Sequence, residues 1–453
     1  MMHASKRIPI HMIMRRLIGC APAWLLRLLP VRFARLCVVS CPTTTASSAQ
    51  PVRQLLVDVS VIHQSDAHTG IQRVVRSLLL QLLNEPPIGF QVCPIFATQQ
   101  HRYYYADQDF LDTLTPANKS TGTAVEAQPG DLFFGLDLAA HVLPRHHAQV
   151  LSWKRNGVKV HMMVYDLLPL QHPQWFNPKT TRNFKRWIKW LAVYADSAIC
   201  ISETVKAELS TWLTTKFDMP STSLPTSRIT LGADIAASAP TGGLPPNAEF
   251  LLARLRNSSS VLMVGTLEPR KGYEQAIAAF ELLWLQDSAA PLLIIVGRPG
   301  WKTDSLQQKL QTHPQAGKRL FWFEDASDEF LVNLYNASRG VLVASRAEGF
   351  GLPVIEAALH GKLVLARDLA VFREINLQNV TYFKSDESDS LALTIAQWLQ
   401  NPTNLATGQI IASRFTWQLS AMQVIQTLGL THPTALQSAS LAPQHSSQLE
   451  TLA

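Results

Sequence analysis

The first fifty residues contain no acidic side chain, and the first acid of the chain is Asp58. Basic residues occur in this stretch seven times, at Lys6, Arg7, Arg15, Arg16, Arg27, Arg32 and Arg35. The whole chain has 40 Lys and Arg against 33 Asp and Glu, so the remaining 33 basic residues balance the 33 acids. A nucleic-acid-binding domain would carry a basic face of its own. The charge balance therefore argues against nucleic acid as a partner of the main body.

Cysteine and long apolar runs are also scarce. The 453 residues contain five cysteines and no Cys-x-x-Cys, which argues against both a disulfide framework and a zinc site and favours a reducing cytoplasm. No run of 18 or more apolar residues is present, so a membrane-spanning helix is not predicted. With 47% apolar and 16% charged residues, the chain is instead typical of a globular protein of two or three domains.

Three interpretations of the basic extension, residues 1–50, stay open. A mostly apolar run at 17–26 follows two arginines, as in a signal peptide. Arginines interleaved with Leu and Phe over 25–35 are typical of a basic amphipathic segment in peripheral contact with an anionic membrane. The third interpretation is an unfolded extension outside the folded body. A second basic and aromatic stretch, 179–194, predicts an amphipathic helix whose basic face contacts either solvent or such a membrane.

Two series of strands and helices alternate along the rest of the chain. The first begins with a buried strand at 55–62 and a helix at 71–83, whose apolar residues recur every 3.6 positions. The second covers 261–366. Strands that are apolar throughout, with helices between them, predict parallel sheets covered on both faces. The fold class is therefore α/β, with two doubly wound domains.

A stretch rich in Pro, Gly and Ala at 237–247 is the best candidate for the interdomain linker. A long helix near 416–429 belongs to neither series. We therefore predict five segments, which are a basic extension (1–50), an N-terminal domain (51–240), a C-terminal domain (250–405), a region containing the last helix (406–431) and a disordered tail (432–453).

The segment AEGFGLPVIEAALHGK (347–362) directly follows a predicted strand, at the sheet edge where open α/β sheets bind ligands. Gly349 and Gly351 allow the backbone to approach a ligand, and the helix that follows offers free N–H groups to an anion. Glu348 and Glu356, eight residues apart, can each accept hydrogen bonds from ligand hydroxyls. Phosphate held between two such carboxylates is the arrangement that a nucleotide-sugar requires.

A second segment, VGTLEPRKGYEQAI (264–277), follows the first strand of the same domain. Arg270 and Lys271 in this segment can reach a diphosphate at the same edge. The segment is not a P-loop, because the G-x-x-x-x-G-K-S/T spacing is absent.

These motifs, with VGRPGW, TGIQRVVRSLL, YDLLPLQHPQWF (165–176) and the last helix in matching order, resemble the retaining glycosyltransferases of family 4. The resemblance covers most of 55–430. It implies a GT-B fold, in which two Rossmann-like domains are separated by a cleft and the last helix crosses back to the N-terminal domain. It also implies a hexosyltransferase that needs no cofactor and no metal.

The resemblance implies roles for individual residues. Glu348 would contact the donor sugar, and Gly349, Phe350, Gly351 and Leu352 would lie along the sugar and diphosphate. Glu356 would bind the ribose, and Lys271 and Arg270 would neutralise the diphosphate. The acceptor side would contain Gly70, Tyr165 and Asp166, with Asp166, Glu348 and Lys271 as the catalytic group.

Three departures from the family pattern bear on the acceptor side. Tyr165 replaces the histidine of a His-Asp pair, Thr266 replaces an arginine, and the glycine loop at Gly70 has one glycine instead of two. We expect transfer of mannose from GDP-mannose to a surface glycan or lipid-linked acceptor, in the cytoplasm or at the inner face of its membrane. The alternatives are a UDP-sugar as donor, or a non-catalytic subunit that binds a nucleotide-sugar.

Overall fold

The computed structural model describes residues 21–38, 52–67, 69–114, 122–287, 289–378, 380–400 and 412–433. Most of the predicted tail (432–453) and parts of the predicted segments 1–50 and 406–431 lie outside these residues. Within the described part of the chain, no helix combines the length and apolarity needed to cross a bilayer.

The N-terminal domain contains a seven-stranded sheet of order β3-β2-β1-β4-β5-β6-β7. All neighbouring strands are parallel except β3, which pairs antiparallel to β2. The strands are β1 (Arg53–Asp58), β2 (Phe90–Phe96), β3 (Tyr104–Tyr105), β4 (Leu132–Gly135), β5 (Lys159–Val164), β6 (Ser197–Cys200) and β7 (Thr226–Arg228). The helices up to the end of this domain are α1 (Ala23–Leu28), α2 (Val31–Leu36), α3 (Gly70–Asn84), α4 (Gln108–Thr113), α5 (His147–Arg155), α6 (Leu168–Gln171), α7 (Pro178–Tyr194) and α8 (Glu203–Phe217).

The C-terminal domain contains a six-stranded, fully parallel sheet of order β10-β9-β8-β11-β12-β13. Its strands are β8 (Ser260–Val264), β9 (Leu292–Val296), β10 (Leu320–Phe323), β11 (Gly340–Val343), β12 (Leu363–Arg367) and β13 (Val380–Phe383). Its helices are α9 (Ala248–Asn257), α10 (Tyr273–Gln286), α11 (Asp304–Thr312), α12 (Asp328–Ala337), α13 (Leu352–Leu359), α14 (Ala370–Ile375) and α15 (Ser388–Gln400). The predicted pair of parallel-sheet domains is confirmed.

The last helix, α16 (Trp417–Thr427), packs on the N-terminal domain, as predicted for a crossing helix. The Trp417 indole donates to the Asp234 carbonyl at 3.0 Å, and the Ser420 hydroxyl donates to the Thr230 carbonyl at 2.8 Å. Gly232 allows this close approach, since a Cβ there would lie 2.6 Å from the Trp417 backbone nitrogen. Helix α16, which follows the C-terminal domain in the chain, is thus bonded to residues 230–234, just before the interdomain connection.

Strand β1 ends four residues earlier than the apolar run 55–62 predicts. The Asp58 carboxylate accepts a hydrogen bond from the Ser60 amide at 2.9 Å, and the Asp137 carboxylate accepts from the amides of Val61 and Ile62 at 2.8 Å each. These amides therefore bond to side chains instead of to a neighbouring strand. The side chains of Val59 and Ile62 stay buried, but the backbone turns.

Residues 21–38 of the basic extension lie on the N-terminal domain, so the interpretation as an unfolded extension does not hold for this part. Leu26 and Ala34 are buried in the common hydrophobic core. The Arg35 guanidinium donates to the carbonyls of Ala192 and Ala195 at the end of α7, at 2.9 and 2.8 Å. Because an arginine can satisfy several carbonyls at a helix end, this cation contributes to packing and does not extend into solvent.

Candidate active site

A cavity of about 770 Å³ lies between the two domains, at the carboxyl ends of both sheets. It is lined by every residue that the sequence assigned to the site, namely Gly70, Tyr165, Asp166, Arg270, Lys271, Glu348, Gly349, Phe350, Gly351, Leu352 and Glu356. The roles of these residues remain predictions. Their convergence follows from the fold, because the loops after parallel strands meet at one sheet edge.

Glu348 is held between two cations. One carboxylate oxygen lies 2.5 Å from the Lys271 Nζ, and the other lies 2.8 Å from an Arg270 Nη. Burial would raise the pKa of Glu348, but Lys271 and Arg270 outweigh burial and lower the pKa to about 2. Glu348 is therefore ionised at neutral pH and can accept hydrogen bonds from a polar ligand.

Two further carboxylates surround Arg270. The Arg270 Nε lies 2.7 Å from a Glu268 carboxylate oxygen. Asp166 is the second carboxylate. Burial raises the pKa of Asp166 to about 6, although the charge of Arg270 acts in the opposite direction. The resulting group of three carboxylates and two cations spans both domains, since Asp166 follows β5 and the others follow β8 and β11. An anionic ligand entering this group would find its cations already positioned by carboxylates.

The glycine loop ends at the start of α13. Gly351 is the N-cap of that helix and has φ of +110°, a conformation that favours glycine. A Cβ at Gly351 would also lie 2.6 Å from a ring carbon of Phe372. Leu352, the first residue of α13, lines the cavity together with Lys271. Pro353 has no N–H, and the Val354 amide donates to the Gly351 carbonyl at 3.0 Å, so the helix dipole and the Leu352 amide are what this end offers to an anion.

Gly349 lies at a close backbone contact between the two domains. A Cβ at this position would lie 2.1 Å from the Tyr165 carbonyl oxygen and 3.2 Å from the Asp166 Cβ. The Gly349 carbonyl in turn accepts a hydrogen bond from the Ser202 hydroxyl at 2.9 Å. The side-chain-free backbone at Gly349 thus allows the glutamate loop of one domain to touch the Asp166 segment of the other.

Glu356 forms a second contact between the domains. One of its oxygens accepts from the Arg73 guanidinium at 2.7 Å, and the other accepts from the Tyr335 hydroxyl at 2.7 Å. Arg73 also bonds to the Asp328 carboxylate at 2.8 Å. Helix α3 of the N-terminal domain is therefore tied by one arginine to helices α12 and α13 of the C-terminal domain.

Comparison with known proteins agrees with this geometry. Residues 253–414 match the family model described as glycosyl transferases group 1. The serotype-specific mannosyltransferase WbdA of Escherichia coli is 39% identical over 391 residues, which are 86% of this chain and 48% of that protein. Residues 253–414 therefore match the group 1 glycosyltransferases, and the similarity to WbdA extends over most of the chain.

Two other similarities concern a second curated relative and the fold. The O-antigen chain mannosyltransferase B of E. coli is 28% identical over 218 residues, covering 47% of this chain and 56% of that protein. The crystal structure of Anabaena HepE in complex with UDP and glucose superimposes with a TM-score of 0.58 at 18% identity, covering 84% of this chain and all of HepE. The structural similarity shows the GT-B fold, and the chain spans about half the length of the WbdA proteins it matches.

The chain departs from the family pattern at Tyr165, and the structure shows the consequence. The Tyr165 hydroxyl donates to the Leu136 carbonyl at 2.7 Å, and only 3% of the residue is exposed. Burial raises the pKa of this phenol well above its usual value. Tyr165 therefore does not replace the acid–base function of a histidine, although its backbone lines the cavity.

An Asp-x-Asp sequence occurs at Asp107–Asp109, away from the cavity. The Asp107 carboxylate accepts from the Phe110 amide at 2.9 Å and caps helix α4. Among the described residues, no group of three His, Cys, Asp or Glu side chains is arranged to hold a metal ion. Asp107 thus has a structural role, and metal independence stays a prediction.

Sequence analysis did not find Arg73, Glu268 or Tyr335. Glu268 and Arg73 line the cavity, and Tyr335 is fully buried behind Glu356. Glu268 follows strand β8 in the same segment as Arg270, so its place at the sheet edge could have been predicted from the sequence. Arg73 and Tyr335 lie on helices that approach Glu356 only because of how the two domains pack, which no spacing in the sequence indicates.

Replacing Arg73 by Met is expected to lower the free energy of unfolding by about 2 kcal/mol, because it strands the buried Glu356 charge. Loss of one partner of a fully buried pair costs about 3–5 kcal/mol, and the 23% exposure of the Arg73 side chain reduces this effect. Chemical denaturation measures the change. Adding Glu356→Gln should recover part of the loss, whereas wild-type stability of Arg73→Met alone would contradict the assignment of this ion pair.

Proposed function

We propose that this protein transfers a hexose from a nucleotide-sugar to a surface glycan or a lipid-linked oligosaccharide, with retention of configuration. The observation that carries the proposal is the single cavity in which Glu348, two cations and the start of α13 converge. Mannose from GDP-mannose is the proposed donor. Support for mannose comes from the relatives WbdA and mannosyltransferase B, whose names state that sugar.

The donor diphosphate would bind Lys271, Arg270 and the start of α13, where the Leu352 amide and the helix dipole favour an anion. Its charge increases as the bond to the sugar breaks, so cations already in place favour the transition state. In the described structure Glu348 pairs with both cations and keeps them oriented. The same carboxylate would then accept hydrogen bonds from donor sugar hydroxyls, and the backbone of 349–352 would lie along the sugar and diphosphate.

Glu356 would bind the ribose while remaining paired with Arg73. A carboxylate has roughly four lone-pair sites, and each Glu356 oxygen accepts one hydrogen bond from Arg73 or Tyr335. Capacity therefore remains for a ribose hydroxyl. Arg73 and Tyr335 would act as positioning residues, since they hold the carboxylate in one orientation.

The acceptor would enter beside Asp166 and Gly70. Gly70 begins helix α3, whose first turn is fixed by the capping box of Thr69 and Gln72. Asp166, with its pKa raised to about 6, would accept a hydrogen bond from the acceptor or donor sugar. Because Tyr165 does not supply the imidazole of the family's His-Asp pair, we propose that the donor phosphate takes the acceptor proton as the acceptor attacks the same face of the sugar. The proposed location is the inner face of the cytoplasmic membrane.

A panel of GDP- and UDP-sugars with purified full-length protein and EDTA tests this proposal. We expect nucleoside diphosphate release from GDP-mannose at a rate that EDTA does not change. Nucleoside diphosphate release only from a UDP-sugar would show that the donor is that UDP-sugar and not GDP-mannose. No release from any donor, even with lipid-linked acceptors, would favour the alternative of a non-catalytic subunit that binds a nucleotide-sugar.

A further inference from the structure

A second cavity, of about 430 Å³, lies in the N-terminal domain and shares no lining residue with the cleft. Its walls come from helix α1 of the basic extension, from residues 144–147 and from the second half of α7. Helix α7 connects the two cavities, because Phe184 lines the cleft and Trp190 lines the second cavity. Six residues of helix separate them, a rise of about 9 Å.

The rim of this cavity is cationic. Arg27, Arg145, Arg186 and Lys189 line it, and no Asp or Glu does. None of the four forms an ion pair within the described residues, and three of them are exposed. The Lys189 ammonium instead donates to the Arg27 carbonyl at 3.0 Å, which ties the extension to α7. The Arg27 guanidinium donates to the Pro144 carbonyl at 3.1 Å. Four cations that have no carboxylate partner among the described residues thus surround one opening, and they attract an anion.

The floor of the cavity is apolar and aromatic. Leu26, Val193 and the stacked rings of Trp190 and Tyr194, 5.1 Å apart, form it. Trp190 and Tyr194 are each only 4% exposed, and neither the Trp190 Nε1 nor the Tyr194 hydroxyl has a hydrogen-bond partner among the described residues. Buried polar groups are normally satisfied. A ligand that places carbonyl oxygens beside its apolar part would satisfy these two donors.

The surface around the cavity is unusually apolar for an exposed region. Trp24, Leu28, Phe33 and Leu36 are 63%, 74%, 48% and 66% exposed, and all four belong to helices α1 and α2. Their exposure does not result from a loose segment, because the opposite side of these helices is packed on the domain. Exposed apolar side chains interleaved with cations are typical of segments that insert into a membrane interface.

We propose that this cavity binds an anionic phospholipid of a membrane, with the lipid phosphate at the cationic rim and an acyl chain along the apolar floor. A soluble phosphate would contact the cationic rim but not the four exposed apolar side chains. A bilayer surface would contact both the cations of the rim and these apolar side chains. The inference goes beyond the proposed reaction, and the lipid site would hold the cleft close to the membrane.

Vesicle co-sedimentation of the full-length protein tests the proposal, with phosphatidylcholine vesicles containing or lacking phosphatidylglycerol. Two variants are compared with wild type. The double variant Arg186→Glu/Lys189→Glu reverses two rim charges, and Trp24→Ser/Leu28→Ser removes exposed apolar surface. The control, Lys318→Glu/Arg339→Glu, makes the same change in net charge at exposed positions of the C-terminal domain.

We expect wild type and the control to bind phosphatidylglycerol vesicles, and both variants to bind about tenfold or more weakly. Equal binding to both kinds of vesicle, or equal loss in the control, would overturn the proposal. So would full competition by inorganic phosphate, which would indicate a soluble anion. A lipid-free dimer that Trp24→Ser/Leu28→Ser dissociates would show instead that the surface binds a second copy. Donor turnover in solution is measured in parallel, so a failure of the proposed reaction is distinguishable from a failure of the lipid site.

Discussion

Replacing Lys271 by Ala is expected to lower kcat/KM for the sugar donor by about 10²–10³-fold, the usual effect of losing one preorganised charge-stabilising contact. The Lys271 ammonium lies 2.5 Å from Glu348 and lines the cleft beside Gly351. Its removal would leave Arg270 as the remaining cation on Glu348. Steady-state kinetics with the active donor measures the effect.

The matched control for this variant is Lys318→Ala, which changes the net charge equally at an exposed position outside the cleft. It should keep wild-type kinetics. Both variants should retain the wild-type melting temperature within a few degrees. Unchanged kcat/KM in Lys271→Ala would contradict the assignment of Lys271 to the diphosphate.

Replacing Gly349 by Ala is expected to reduce donor turnover by about 100-fold or more, because a displacement of about 1 Å near reacting groups can have that effect. The added Cβ would lie 2.1 Å from the Tyr165 carbonyl oxygen, so the two domains must separate or the glutamate loop must shift. Either movement displaces Glu348 relative to Asp166. Turnover and the melting temperature are measured together.

Gly242→Ala provides the control for this substitution. Gly242 lies in the interdomain connection, and the nearest atom to a Cβ there is a Glu329 carboxylate oxygen at 3.6 Å, an ordinary contact. This variant should keep wild-type turnover. If Gly349→Ala were equally active, the close contact between the domains would not be needed for catalysis.

The architecture was largely predictable from sequence because buried parallel strands are apolar throughout. The run 292–297 predicts β9, and the segment 341–345 predicts β11. The family resemblance and the crossing of the last helix are also confirmed. Strand ends were less predictable. The early end of β1 depends on Asp137, which comes from a different strand connection.

The candidate site was predictable as a set of residues but not as a network. Glu348 and Lys271 come from loops whose convergence follows from the parallel sheet, so their pairing could be anticipated. The Arg73–Glu356 contact depends on the placement of one domain against the other, which local pattern does not specify. The placement of the basic extension was left open among three interpretations for a related reason, since Arg35 bonds carbonyls at the end of α7, far away in sequence.

The most direct test of the central claim is the anomeric configuration of the transferred sugar. Purified wild-type protein is incubated with GDP-mannose and a lipid-linked glycan acceptor in EDTA, and NMR of the product assigns the new linkage. The account predicts a glycan extended by mannose in the configuration that the donor carries. A product with inverted configuration, or no transfer to any acceptor by protein that binds the donor, would contradict it.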